Sequence, residues 1–158
     1  MKVYTVKEIR EAAYAEYPRA TIQFYDRDRH VISKEAWNML HADFIFDLRK
    51  NGLEKYGMGA IESRTDQKFE INDCDDYMVH FMSYVSKRHA LTQGVTHSLA
   101  RLGLLYSING DPARGHAAVA PFFLEDGVLV CRALEPQPNG GIFKCTDPER
   151  FSAYSLWG

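Results

Sequence analysis

A chain of 158 residues with 46% hydrophobic and 25% charged content suits one globular domain, able to bury about two-thirds of its unfolded surface. Its formal charge of −2 offers no basic face to a nucleic acid, and no apolar run is long enough to cross a membrane. Cysteines at 74, 131 and 145 form neither an even disulfide set nor a CxxC pair; with no signal-peptide pattern, the expected setting is the reducing cytoplasm, or a host cell's if the chain is phage-encoded.

In chain order, Thr5 and Glu8 form a capping-box pattern ahead of Val6, Ile9, Ala12, Ala13 and Tyr14, which predicts a helix ending before Pro18. Short β-like runs, Ile22–Tyr25 and His30–Ile32, flank the charged turn 26–29. Ser33 then caps a helix over Lys34–Lys50, with Trp37, Leu40, Phe44, Ile45 and Leu48 on its apolar side and Asn51-Gly52 as its stop. Residues 53–66 read as loop. Asp73 is an N-cap, with Asp75 and Asp76 in the first turn of a helix running from Cys74 to about His89. Tyr77, Met78, Phe81, Met82 and Val85 supply its buried face. Beyond it, Leu102–Ile108, His116–Leu124, Val128–Leu134 and Ile142–Lys144 read as strands separated by Gly-, Asn- and Pro-containing turns. Helices first and antiparallel strands second predict an α+β fold, N-terminal helices packed on a C-terminal antiparallel sheet. One domain, 1–158, divides into a helical region 1–66, a motif-bearing region 67–137 and a C-terminal tail 138–158.

Cys74 at a helix N-terminus meets unpaired backbone N–H groups, which favour thiolate over thiol. A thiol nucleophile needs a base, and the base an orienting acceptor. His116 opens one strand and Glu135 closes the next. A two-residue loop at Glu125-Asp126 would set them opposite each other, with Cβ atoms about 4.5–5.5 Å apart. A loop at Asp126-Gly127 would make Glu135 a diagonal neighbour on the same face, with Gln137 the reserve partner, and a three-residue loop would require a bulge. Gln67, one short loop upstream, could join the Cys74 N–H as an oxyanion donor.

Gln67, the Asp-Cys-Asp-Asp-Tyr of 73–77, the Gly-His-Ala of 115–117 and the Glu-Pro-Gln of 135–137 together resemble the papain-like and transglutaminase-like cysteine peptidases. The likeness is closest to the protease domain of the Marasmius oreades agglutinin and related phage and bacterial proteins. It covers about Gln67 to Gln137, and the agglutinin's sugar-binding trefoil repeat is absent. The resemblance implies a papain-like fold, Cys74 as nucleophile, His116 as general base and then acid, Glu135 as orienter and Gln67 in the oxyanion hole. The expected activity is hydrolysis or acyl transfer at an amide of a protein or peptide substrate. The alternative is a catalytically silent binding or inhibitor module on the same scaffold, directed at a host protein.

Asn72, Asp75 and Asp76, with Asp73, place oxygen-bearing side chains close together and could hold Ca²⁺, as the resemblance also implies; a plain helix cap accounts for the same residues. The other histidines, at 30, 41, 80, 89 and 97, show no metal-ligand spacing. Cys131 reads as core. The aromatic side chains of Trp37, Phe122, Phe123, Phe143 and Trp157 read mainly as core, with some free to line a groove.

Overall fold

The computed structural model describes residues 1–23, 27–50 and 74–158. Gln67, Asn72, Asp73, the Asn51-Gly52 stop, the 53–66 loop and the end of the Ile22–Tyr25 run therefore lie outside the described residues.

Helix α1 spans Val6–Glu16, and its capping box is present: Glu8 N donates to Thr5 Oγ1 while Thr5 N donates to Glu8 Oε2. Ile9, Ala12 and Ala13 are buried as the period requires, but Tyr14 is exposed. Tyr17 is fully buried in its place; it is the C-cap residue, its N–H bonded to Ala13 O at 2.8 Å. Helix α2 spans Lys34–Lys50, with Ser33 Oγ accepting from Ala36 N. Helix α3 spans Cys74–Ala90 and buries Tyr77, Met78, Phe81, Met82, Val85 and His89.

The strands are β1 (Lys2–Tyr4), β2 (Thr21–Gln23), β3 (Arg29–Val31), β4 (Arg101–Ser107), β5 (Gly115–Glu125), β6 (Val128–Cys131), β7 (Ala133–Glu135), β8 (Gly141–Phe143) and β9 (Ser155–Trp157). A fourth helix, α4, spans Asp147–Ser152 behind a second capping box, Thr146 with Glu149. β1 pairs with β3, and the larger sheet runs β2-β9-β4-β5-β7-β8 with β6 also on β5.

The protein is α+β, and two details of the expected architecture are corrected. The sheet is mixed, because β2 from the N-terminal part runs parallel to β9. Helices also cover both faces. Ala118, Ala120 and Phe122 of β5 share a core with Ile9, Ala13 and Tyr17, whereas Ala117, Val119 and Phe123 share one with Trp37, Tyr77 and Phe81. Successive side chains of a strand point to opposite faces, so β5, apolar at both parities, requires a layer on each side. The small alanines along it let the helices approach closely. Trp37 locks α2 to this strand, donating its indole N–H to Phe122 O at 3.0 Å.

Candidate functional site

The β5–β6 hairpin decides the register. Asp126 and Gly127 both have positive φ, 49° and 79°, as a two-residue type I′ loop demands, and Glu125 pairs with Val128. The same register continues to Val119 opposite Leu134. Glu135 is thus the diagonal neighbour of His116, and the directly opposed arrangement does not form. A carboxylate side chain spans the diagonal: His116 Nε2 is hydrogen-bonded to Glu135 Oε2, and Glu135 Oε1 accepts from Gln137 N at 3.1 Å. Gln137 therefore steadies the carboxylate and does not replace it. Gly140 closes the turn behind Glu135, where a Cβ would lie 2.2 Å from Glu135 O, so only glycine fits.

Cys74, at the first residue of α3, is partly exposed and meets His116 at the start of β5. Glu135 occupies Nε2 and leaves Nδ1 for the sulfur. Burial alone would lower the His116 pKa, but hydrogen bonds to Cys74 and Glu135 and their negative charge override it, raising the value to about 9. The imidazole is therefore held as a cation at neutral pH. Tyr106 packs edge-on to it, ring centroids 5.6 Å apart.

The cluster lines a pocket of about 400 Å³ with Asp75, Met78, Val79, Leu105, Tyr154 and Trp157 among its walls. Val79 and Trp157 also border a larger one of about 930 Å³, reaching Met82, Ser83, Ser86, Arg101 and Gln23. The two pockets share these two walls beside α3, and together they are called the groove.

Asp75 and Asp76 stand in the first turn of α3. Among the described residues no group of three His, Cys, Asp or Glu side chains is placed to hold a metal ion. Two carboxylates fall short of the six to eight oxygens a calcium ion takes, and Asn72 lies outside the described residues.

Thiol chemistry separates the three cysteines. Burial pushes Cys131 well above its ordinary pKa and Cys145 up to about 12, so at pH 8 about one Cys145 in ten thousand is thiolate. Iodoacetamide at pH 8 is expected to modify Cys74 first and more slowly in His116→Ala. Peptide mapping that finds Cys131 or Cys145 labelled first, or a Cys74 rate unchanged by the substitution, contradicts this.

No family model and no curated protein matches the chain. Several solved structures do, among them the following two. One, described as the PSL1a-E64 complex, superposes with a TM-score of 0.66 at 19% identity, covering 99% of this chain and 51% of the other. The second, Polyporus squamosus lectin bound to the human-type influenza-binding epitope Neu5Aca2-6Galb1-4GlcNAc, superposes at 0.65 and 19% identity, covering 99% and 49%. The chain shares their fold. It spans about half the length of each.

These findings correct the family expectation. The matched structures are those of a lectin and not of a named cysteine peptidase. The reading of the chain as a papain-like amide hydrolase is set aside, and nothing in these findings supports the phage origin or the calcium switch attached to it. The physical reason is that a thiol, an imidazole and a carboxylate in contact define an arrangement of groups; an arrangement fixes neither family nor turnover.

Three contributors to the site, His41, Tyr106 and Arg101, have no sequence signal, whereas Trp157 is among the aromatic residues expected as core or groove lining. His41 of α2 is buried behind it; the backbone carbonyls of Pro136 and Gln137 and the Glu135 charge act on its ring, though burial keeps its pKa low. Trp157 and Arg101 line the groove from β9 and β4, whose pairing sets Trp157 opposite Gly103, while Tyr106 of β4 packs on His116. A Cβ on Gly103 would come within 2.9 Å of the Trp157 ring, so the indole packs close against that glycine.

Proposed function

We propose that the chain is a binding module that holds a protein or peptide ligand in the groove along α3, and that binding rather than turnover is its role. The groove itself carries this reading: two neighbouring pockets of about 400 and 930 Å³ that share Val79 and Trp157 as walls, apolar along Val79, Met82 and Trp157 with a few polar groups at fixed points, the composition of a ligand site. In support, both matched structures are ligand-bound, one to E64 and one to a sialylated epitope. The epitope belongs to a chain about twice as long. Here Cys74 and His116, which line the smaller pocket, would meet the ligand.

The test is a thermal-shift and calorimetric titration of the intact chain with E64 and, separately, with the sialylated trisaccharide. E64 is expected to raise the melting temperature of the wild type, with the shift lost in His116→Ala and no shift from the trisaccharide. Absence of any shift with E64 overturns the reading. So does steady, Cys74-dependent release of product from a fluorogenic peptide.

A further inference from the structure

The larger end of the groove has a charged floor. Arg101, first residue of β4, is bonded through Nε to Ser86 Oγ at 2.8 Å. That hydroxyl is committed in turn to Met82 O at 2.8 Å. Among the described residues no carboxylate is paired with Arg101, whereas Arg132, for comparison, holds both Glu16 and Glu125. Burial, and then the neighbouring Arg29 charge, lower the Arg101 pKa to about 10, so the guanidinium stays charged at neutral pH in a setting that disfavours the charge. A planar guanidinium with terminal N–H groups left over is matched by a carboxylate, which accepts two parallel hydrogen bonds.

The length of the groove selects the kind of ligand. Cys74 and Ser86 are both on α3, and at about 1.5 Å per residue they lie about 18 Å apart along its axis. An extended peptide advances about 3.3 Å per residue, so about five residues span that distance. Resting on the binding reading above, we propose that the groove takes an extended acidic peptide segment, with a Glu or Asp carboxylate seated on Arg101 and the residue about five positions away lying at Cys74. Val79, Met82 and Trp157 would take apolar side chains between the two ends, and Ser83 and Gln23 offer polar contacts beside the carboxylate.

The test uses fluorescein-labelled octapeptides of Ala, Leu and Tyr, with one Glu moved through every position, and a matched set carrying Gln. Fluorescence polarisation reads their binding to wild type, Arg101→Gln and Arg101→Lys, each first shown by melting to be folded. The best Glu peptide is expected to bind about tenfold tighter than its Gln match, as one charge-assisted bidentate contact would give. Arg101→Gln should bring it to the level of the Gln peptide, Arg101→Lys should keep part of the preference, and added salt should reduce it. Equal binding of the two sets, or a preference that survives Arg101→Gln, overturns the acidic-peptide inference and leaves the binding module standing. If no peptide binds to wild type, both fail, and binding of free Neu5Ac alone would move the Arg101 subsite to an anionic sugar and overturn the inference as well.

Discussion

Trp37→Ala should be among the most destabilising single substitutions in this chain. Trp37 is fully buried, packs against Phe81 with ring centroids 6.5 Å apart, and bonds the Phe122 carbonyl. Truncation to alanine removes a large apolar volume, costing about 3–5 kcal/mol. It also strands the carbonyl, adding about 1–3 kcal/mol if no water reaches it. Against a total stability of about 5–15 kcal/mol, that loss lowers the melting temperature by about 10–30 °C. Trp37→Phe, which keeps most of the ring and loses only the bond, should cost about 1–3 kcal/mol. Thermal and urea melts decide it, and an alanine variant melting within a few degrees of wild type would mean that α2 is not anchored as described. Because Phe122 lies on the strand that carries His116, the same variant should also loosen the groove.

The second large effect is a loss of stability in mild acid. His30, His89 and His97 come together from β3, the end of α3 and the segment after it. His89 Nε2 lies 3.1 Å from His97 O and 3.2 Å from His30 Nδ1, and Thr96 Oγ1 lies 2.8 Å from His97 Nδ1. One assignment satisfies every group: His89 donates to the carbonyl and to His30, and Thr96 donates to His97. Protonating His30 at Nδ1 would set two N–H groups against each other. Burial first, then the charges of His89, His97 and the amino terminus, lower the His30 pKa, while burial lowers that of His89. A histidine with a lowered folded pKa gives full stability above its unfolded value of about 6.5 and loses it as the pH falls through the folded value. Each can contribute a slope of up to about 1.4 kcal/mol per pH unit. His116 behaves oppositely: raised to about 9, its contribution is complete below about pH 6.5 and fades as the pH rises toward 9, so it cannot offset the acid loss. Melting temperatures should therefore fall steadily from pH 6.5 to 5. His89→Gln should flatten that limb, and a flat wild-type profile, or an unchanged limb in the variant, would remove the cluster from the account.

Local pattern alone determined a good deal of this protein. The Thr5–Glu8 capping box, the bounds of α2 and the apolar face of α3 follow from spacings of three and four residues, and their physics acts within one or two helical turns. Cys74 at a helix start was legible for the same reason, as were the strand runs that became β4 to β8. Asp126-Gly127 could be seen as one of two possible loops, but the choice between them belongs to the packed sheet. A one-residue slip would have turned the apolar sets of β6 and β7 to the wrong faces.

Tertiary structure decided the rest. β2, which overlaps the run expected at Ile22–Tyr25, pairs with β9 across most of the chain, and the three residues of β9 offer no period from which to read that partner. Their meeting makes the sheet mixed and sets Trp157 against Gly103. His30 lies 59 residues from His89 in the sequence, and Arg101 acquires its meaning only from the groove above it and the absence of a described carboxylate beside it. The contact of His116 with Glu135 could be anticipated from a hairpin. What that contact is for could not, because function depends on what the groove admits, and the walls of the groove come from α3, β2, β4 and β9 at once.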